Sequence, residues 1–158
     1  FKDIYGGETT VARLWRWVID LEKGTVSEEQ LDDGACDFPR INDQLIGLKA
    51  EYGYCMQLKT DVEDLTFGEH LFKYHLESGK RTDHHLGTNV AGGEPVFASK
   101  PEPSCEDEGW ILSLVHERDT RQSKLIIIDA QDFDQEPVAE ILIPQRVPYG
   151  AHGSWIQD

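Results

Sequence analysis

The sequence predicts an all-β chain of about three four-stranded units, and three observations predict it. An apolar hexamer followed by a glycine-bearing turn and a second polar-apolar stretch recurs at an interval of about 55 residues. Its apolar segments are rich in β-branched and aromatic residues, which suit a pleated, half-buried surface. About four strands in about 55 residues is also the size of a β-propeller blade.

The first copy is Arg16-Trp17-Val18-Ile19-Asp20-Leu21, with a turn at residues 22–25 and a strand ending at Leu31. The second is Leu71-Phe72-Lys73-Tyr74-His75-Leu76, with a turn at 77–80 and a strand ending at Leu86. Gly24 and Gly79 hold equivalent places, where a hairpin turn needs positive φ. The third copy, Leu125-Ile126-Ile127-Ile128-Asp129-Ala130, has an expanded turn at 131–137 before a strand at 138–143. Further strands are expected at 52–58, 94–98 and 110–116, the last joined to the third hairpin by the polar turn 117–123. The repeat units fall at roughly residues 1–50, 51–105 and 106–158. A closed propeller needs at least about four blades, so the chain is expected to be the terminal part of a longer one. The competing arrangement is an open stack whose exposed edge strands a partner or a second copy covers.

Composition narrows the function. The 158 residues carry 30 Asp and Glu against 15 Lys and Arg, a formal charge of −15. Phosphate binding depends on clustered Lys and Arg, and no basic block exceeds two residues, so nucleic acid is excluded as a partner. The longest purely apolar run, residues 125–128, is far too short to span a bilayer, and no leader pattern opens the chain. A soluble chain, or a piece of one, is expected. Cys36, Cys55 and Cys105 are odd in number and lack CxxC spacing, which suggests neither a disulfide framework nor a zinc knuckle and is consistent with a reducing, cytoplasmic compartment. The first residue is Phe, not Met, which suggests that sequence has been removed upstream.

The informative segments lie between the hairpins: Phe38-Pro39-Arg40-Ile41-Asn42, Tyr52-Gly53-Tyr54, Gly93-Glu94-Pro95-Val96-Phe97, and Pro148-Tyr149-Gly150 with His152-Gly153-Ser154-Trp155. Their order and spacing resemble the carotenoid cleavage oxygenases, the family of the retinal pigment epithelial membrane protein, apocarotenoid oxygenases and lignostilbene dioxygenases. The resemblance implies a seven-bladed propeller with iron(II) on its axis, held by four histidines. It implies insertion of dioxygen across a carbon-carbon double bond of a carotenoid, apocarotenoid or stilbene, giving two carbonyl products. His152 matches the last of the four ligands, and the other three lie upstream of the region covered, so the chain is expected to be a C-terminal portion. One ligand of four should bind iron weakly and support no cleavage alone.

Elementary chemistry agrees with that role for His152. A neutral imidazole suits iron(II), and Gly150 and Gly153 let the backbone bend around it. By resemblance, Glu94 is a carboxylate that accepts the other ring N–H, serving His152 itself. Asp37 stands where the family usually has Glu; being one methylene shorter, it needs a closer partner or a bridging water. Four neutral imidazoles leave the +2 charge uncompensated, which gives such outer carboxylates an electrostatic purpose. Phe38, Phe97, Tyr149 and Trp155 are candidates to line an apolar tunnel for a lipophilic polyene, although aromatics near a propeller axis also simply pack the core.

The remaining histidines read as structural. His84 and His85 point to opposite faces of a strand, at a repeat position equivalent to Glu29 and Gln30, and are expected on the solvated surface. His75 aligns with Asp20 and Asp129 at a strand-to-turn corner, where a polar side chain can bond the turn; His70 and His116 carry no signal. The acidic loop 102–108 reads as a solvated turn. Peripheral membrane contact would belong to the missing region, since no amphipathic anchor is present. The alternative from another class is a non-enzymatic β-propeller binding or scaffold module without metal.

Overall fold

The computed structural model describes residues 11–60, 66–148, 150 and 152–156. The strands are β1 (Arg13–Asp20), β2 (Thr25–Arg40), β3 (Tyr52–Lys59), β4 (Thr66–His75), β5 (Lys80–His85), β6 (Val90–Ala91), β7 (Val96–Ser99), β8 (Gly109–Glu117), β9 (Ser123–Asp129) and β10 (Ala139–Ile143). A 3-10 turn at Asp43–Leu45 is the one helical element among the described residues. The fold is all-β, as expected, and its strand pairs are antiparallel.

The first sheet has the order β1-β2-β3-β4-β5. The long β2 serves twice: its first half pairs with β1, and its Cys36–Arg40 end pairs with β3. It is therefore the last strand of one blade and the inner strand of the next. The second sheet runs β10-β9-β8, with β6 and β7 lying end to end along the free side of β8. The three aligned copies of the repeat are the hairpins β1/β2, β4/β5 and β9/β10. The segments near residues 50 and 105 connect β2 to β3 and β7 to β8, neighbouring strands of one sheet in each case.

The hairpin corners share one device. Asp20 Oδ1 accepts the N–H groups of Glu22 (3.1 Å) and Lys23 (3.0 Å), His75 Nδ1 accepts that of Ser78 (3.1 Å), and Asp129 Oδ1 accepts that of Gln131 (2.9 Å). Gly24 and Gly79 close the two tight turns at φ +63° and +70°. The repeat thus conserves a polar acceptor at the strand end and a left-handed residue near the turn's exit.

The two sheets stack face to face. Tyr54, Met56 and Leu71 of the first meet Ile111, Val115, Ile126 and Ile128 of the second, all at or below 1% exposure, with Phe97, Ala130 and Phe133 closing the core. The opposite face of β3 and β4 buries Cys55, Phe72 and Tyr74 with Cys36 against Leu14 of the β1/β2 hairpin. Both faces of β4 are therefore covered, which is why Leu71 to Tyr74 are buried without alternation. At the outer ends, Trp17, Val18, Ile19 and Val26 on one hairpin and Ile141 and Leu142 on β10 remain exposed.

Two sequence expectations are corrected here. His84 is buried, not solvated: it lies opposite Leu71 in the ladder, on the face turned toward the second sheet. Its Nδ1 donates to the Phe133 carbonyl at 2.8 Å, and its buried Nε2 has no hydrogen-bond partner among the described residues. Burial pushes its pKa below the ordinary value, outweighing the hydrogen bond that favours the cation. His85, on the other face, is exposed.

The acidic loop is likewise solvated only over residues 101–105. Asp107 is buried and accepts from Lys73 Nζ at 2.7 Å; the same ammonium donates to the Ala130 carbonyl at 2.6 Å and lies 4.4 Å from the Tyr52 ring centre. Glu106 accepts the backbone N–H groups of Glu51 and Tyr52 at 2.8–2.9 Å. The loop is a seam between the blades.

Candidate metal centre

The site forms where the end of β2, the segment entering β7 and the C-terminal tail converge. Pairing of β2 with β3 shifts register between Asp37 and Arg40. Within that irregularity Phe38 adopts φ +55°, a left-handed conformation that costs a non-glycine residue about 1–3 kcal/mol. Asp37 Oδ1 accepts the Phe38 N–H at 2.7 Å and helps hold the bend. The Phe38 ring then stands edge-on to Phe67 (5.4 Å) and to the His152 imidazole (5.6 Å).

Glu94 is delivered from the second sheet. The preceding Gly93 lies so close to β8 that a Cβ there would stand 2.7 Å from the Leu114 carbonyl oxygen. Buried Ser113 holds it at both ends, accepting its N–H (3.3 Å) and donating to its carbonyl (3.0 Å). This close approach explains the glycine before Glu94 and fixes where the carboxylate emerges.

The Glu94 side chain is 8% exposed, and three donors converge on it. His152 Nδ1 lies 3.0 Å from Oε1, Arg40 Nη1 donates to the same oxygen at 3.0 Å, and the Gly153 N–H donates to Oε2 at 2.6 Å. Burial works to raise the pKa of this carboxyl, but the bonds from His152, Gly153 and Arg40 together outweigh it and hold it below the ordinary carboxylate value. An ionised carboxylate only accepts, so it selects the His152 tautomer protonated at Nδ1 and leaves Nε2 with its lone pair. The His152 side chain is 75% exposed, so that nitrogen is open to a ligand.

This donor fits a transition-metal ion as one ligand and no more. Among the described residues no group of three or more His, Cys, Asp and Glu side chains could hold an ion. A complete centre would need further donors besides these residues.

Beside His152 lies a cleft of about 230 Å³ walled by Phe67, Val96, Leu112, Leu114, Val147 and Trp155, with Glu94 and His152 on its rim. Trp155 therefore faces the cleft. Phe38 touches His152 but does not line the cleft. Phe97 departs from the tunnel expectation: at 6% exposure it stacks on Tyr54 (5.9 Å, 13°) inside the core, because the side-chain alternation of β7 turns it to the blade interface. Tyr149 lies outside the described residues. Asp37 is exposed, and among the described residues its side chain makes one hydrogen bond, the turn bond to Phe38, and none to His152.

The profile of the retinal pigment epithelial membrane protein family matches residues 2–157. The chain belongs to that family. Among its relatives, the apocarotenoid-15,15'-oxygenase of Synechocystis is 32% identical over 92% of the chain, and a carotenoid cleavage oxygenase of Mycobacterium tuberculosis is 33% identical over 95%. The crystal structure of cobalt-substituted Synechocystis apocarotenoid oxygenase superposes with a TM-score of 0.84 at 32% identity over 92% of the chain. The chain spans about three tenths of the length of these relatives, 29% and 30% of the two sequences and 30% of the solved structure.

In this family member the polar residue that sequence reasoning missed is Arg40. It sits inside Phe38-Pro39-Arg40-Ile41-Asn42, and the available signal was a lone cation beside apolar neighbours in a strongly acidic chain. Its Nη2 donates to both carboxylate oxygens of Asp43 (3.1 and 2.9 Å), and its Nη1 also reaches the Gly153 carbonyl at 2.5 Å. Asn42 is buried and caps the 3-10 turn by accepting the Gln44 N–H at 3.1 Å, which places Asp43.

Proposed function

We propose that the protein to which this chain belongs is a non-haem iron(II) dioxygenase that cleaves a carbon-carbon double bond of a carotenoid, apocarotenoid or stilbene. The observation that carries this reading is the His152–Glu94 pair, which fixes the Nδ1–H tautomer and directs Nε2 outward at the rim of an apolar cleft. The relatives named above act on carotenoids and apocarotenoids by their names, and the family's metal dependence supports a cofactor at this position.

In this reading His152 Nε2 would hold the iron, together with three histidines supplied by upstream blades. Glu94 keeps the His152 proton on Nδ1 and supplies negative charge that four neutral imidazoles lack. Asp37 holds the Phe38 turn with Oδ1 and leaves Oδ2 for one of the upstream histidines. Bound iron(II) supplies activation of dioxygen toward the alkene. One oxygen atom goes to each alkene carbon, so the two carbonyl products balance without an external reductant. The cleft wall offers Trp155, Phe67 and aliphatic side chains, which bind a polyene by burial and exclude water.

The exposed apolar side chains of β1 and β10 suit blades packed on either side, in keeping with a larger ring. No helix among the described residues is long and apolar enough to cross a membrane. A lipophilic substrate makes a cytoplasmic enzyme with peripheral membrane contact through its upstream region the consistent arrangement.

The test is product analysis of the full-length protein loaded with iron(II) against carotenoids, apocarotenals and stilbenes under labelled dioxygen. Two carbonyl products, each carrying one labelled oxygen before exchange with water, are expected from at least one class. Iron-loaded protein that cleaves none of them would overturn the reading.

A further inference from the structure

We propose that Arg40 is a positioning residue for His152, clamping the exposed His152–Gly153 segment to the blade and setting how its imidazole is presented to the metal. The proposal rests on the reading of His152 as an iron ligand.

The tail gains little from packing here. His152, Gly153, Ser154 and Trp155 are all exposed, and no strand pairing includes them. Among the described residues, the hydrogen bonds that hold His152 and Gly153 converge on two side chains, with the Phe38 edge beside them. Glu94 takes the His152 Nδ1–H and the Gly153 N–H; Arg40 takes the Gly153 carbonyl and returns to the same Glu94 oxygen that serves His152. The Gly153 residue is thus gripped at its N–H by one sheet and at its carbonyl by the other. Arg40 closes this ring, and its side chain is 16% exposed, so its bonds are sheltered from solvent.

Geometry explains why the residue is arginine. One nitrogen of the guanidinium must be spent on Asp43 while another bridges a carboxylate and a carbonyl about 54 and 113 residues away in sequence. The planar fork holds both sets of bonds at once, and a single ammonium cannot span both places. By sharing Glu94 Oε1, Arg40 also draws part of the carboxylate's charge away from His152, so its removal frees the imidazole and makes it a slightly stronger donor, and the loss of positioning is the larger of the two effects.

The test uses the full-length protein with Arg40→Met, Arg40→Gln and Asp43→Ala, the last leaving the arginine charge but freeing its far end. Iron(II) affinity is measured by competition with a chelator, and the visible absorption of the cobalt(II)-loaded protein reports the ligand field. In folded Arg40→Met protein, metal affinity is expected to fall about tenfold, the low end for outer-sphere partners of metal-bound histidines, with an altered cobalt spectrum. Arg40→Gln and Asp43→Ala should show smaller changes in the same direction. A residue that only stabilises the blade would move the melting temperature and leave the cobalt spectrum unchanged. If the folded variants keep parental affinity and spectrum, the proposal fails while the iron reading stands. If His152→Ala itself leaves affinity and spectrum untouched, the underlying reading fails instead.

Discussion

Replacing Asp107 by Ala strands the Lys73 ammonium between the blades. Both side chains are about one-tenth exposed, and the ammonium would be left with the Ala130 carbonyl at 2.6 Å and the Tyr52 ring at 4.4 Å. At 2.7 Å with an effective dielectric constant of 20, the direct attraction is about 6 kcal/mol. Desolvation of both ions offsets part of that, and breaking such a buried pair typically costs about 3–5 kcal/mol. A domain of ordinary stability has only about 5–15 kcal/mol in total. With a urea slope of about 2 kcal/mol/M, the unfolding midpoint followed by tryptophan fluorescence should fall by about 1.5–2.5 M. The double variant Lys73→Met with Asp107→Leu should recover most of the loss, since matched apolar replacement of a buried pair is often neutral. A loss below about 1 kcal/mol in Asp107→Ala, the range of solvated surface pairs, would refute the claim that this contact seals the blade interface.

Three further outcomes follow from the same geometry. His84 has a folded pKa below the ordinary 6.5, so its contribution is fully present above about pH 6.5 and is lost as pH falls from there toward the lowered value; the unfolding free energy should drop in that window by at most about 1.4 kcal/mol per pH unit, and His84→Gln should remove that part of the slope. Replacing Glu94 by Ala removes the acceptor of three donors and should lower the iron affinity of the full-length protein about 10–100-fold, with Glu94→Gln recovering part because one of its two ends still accepts; unchanged iron after chelator dialysis would contradict this. The 158-residue chain alone, having one donor of the set, should hold iron substoichiometrically and cleave no polyene, and tight stoichiometric iron in it would be the opposing result.

The hairpins were readable because each is a local event: an apolar strand, an acceptor at its end, a left-handed glycine and a returning strand. The motif strings likewise pointed to Glu94 and His152 before any coordinates. What escaped was decided between sheets. His84 and Glu29 occupy equivalent strand positions, yet the second sheet covers only the former, so local alternation predicted two faces and could not say which one was dry. Asp107 and Lys73 are separated in sequence and become partners only when two blades stack. Phe97 belongs to the same motif as Glu94, but alternation along β7 puts Val96 on the cleft and its neighbour Phe97 in the core. Arg40 was in plain view and lacked a role because its acceptors come from two distant segments.

Iron content and cleavage by the full-length protein with His152→Ala test the central claim most directly. The account predicts about one iron per chain in the parent and near-complete loss of both iron and cleavage in the variant. A variant that retains stoichiometric iron and cleaves at the parental rate would contradict it.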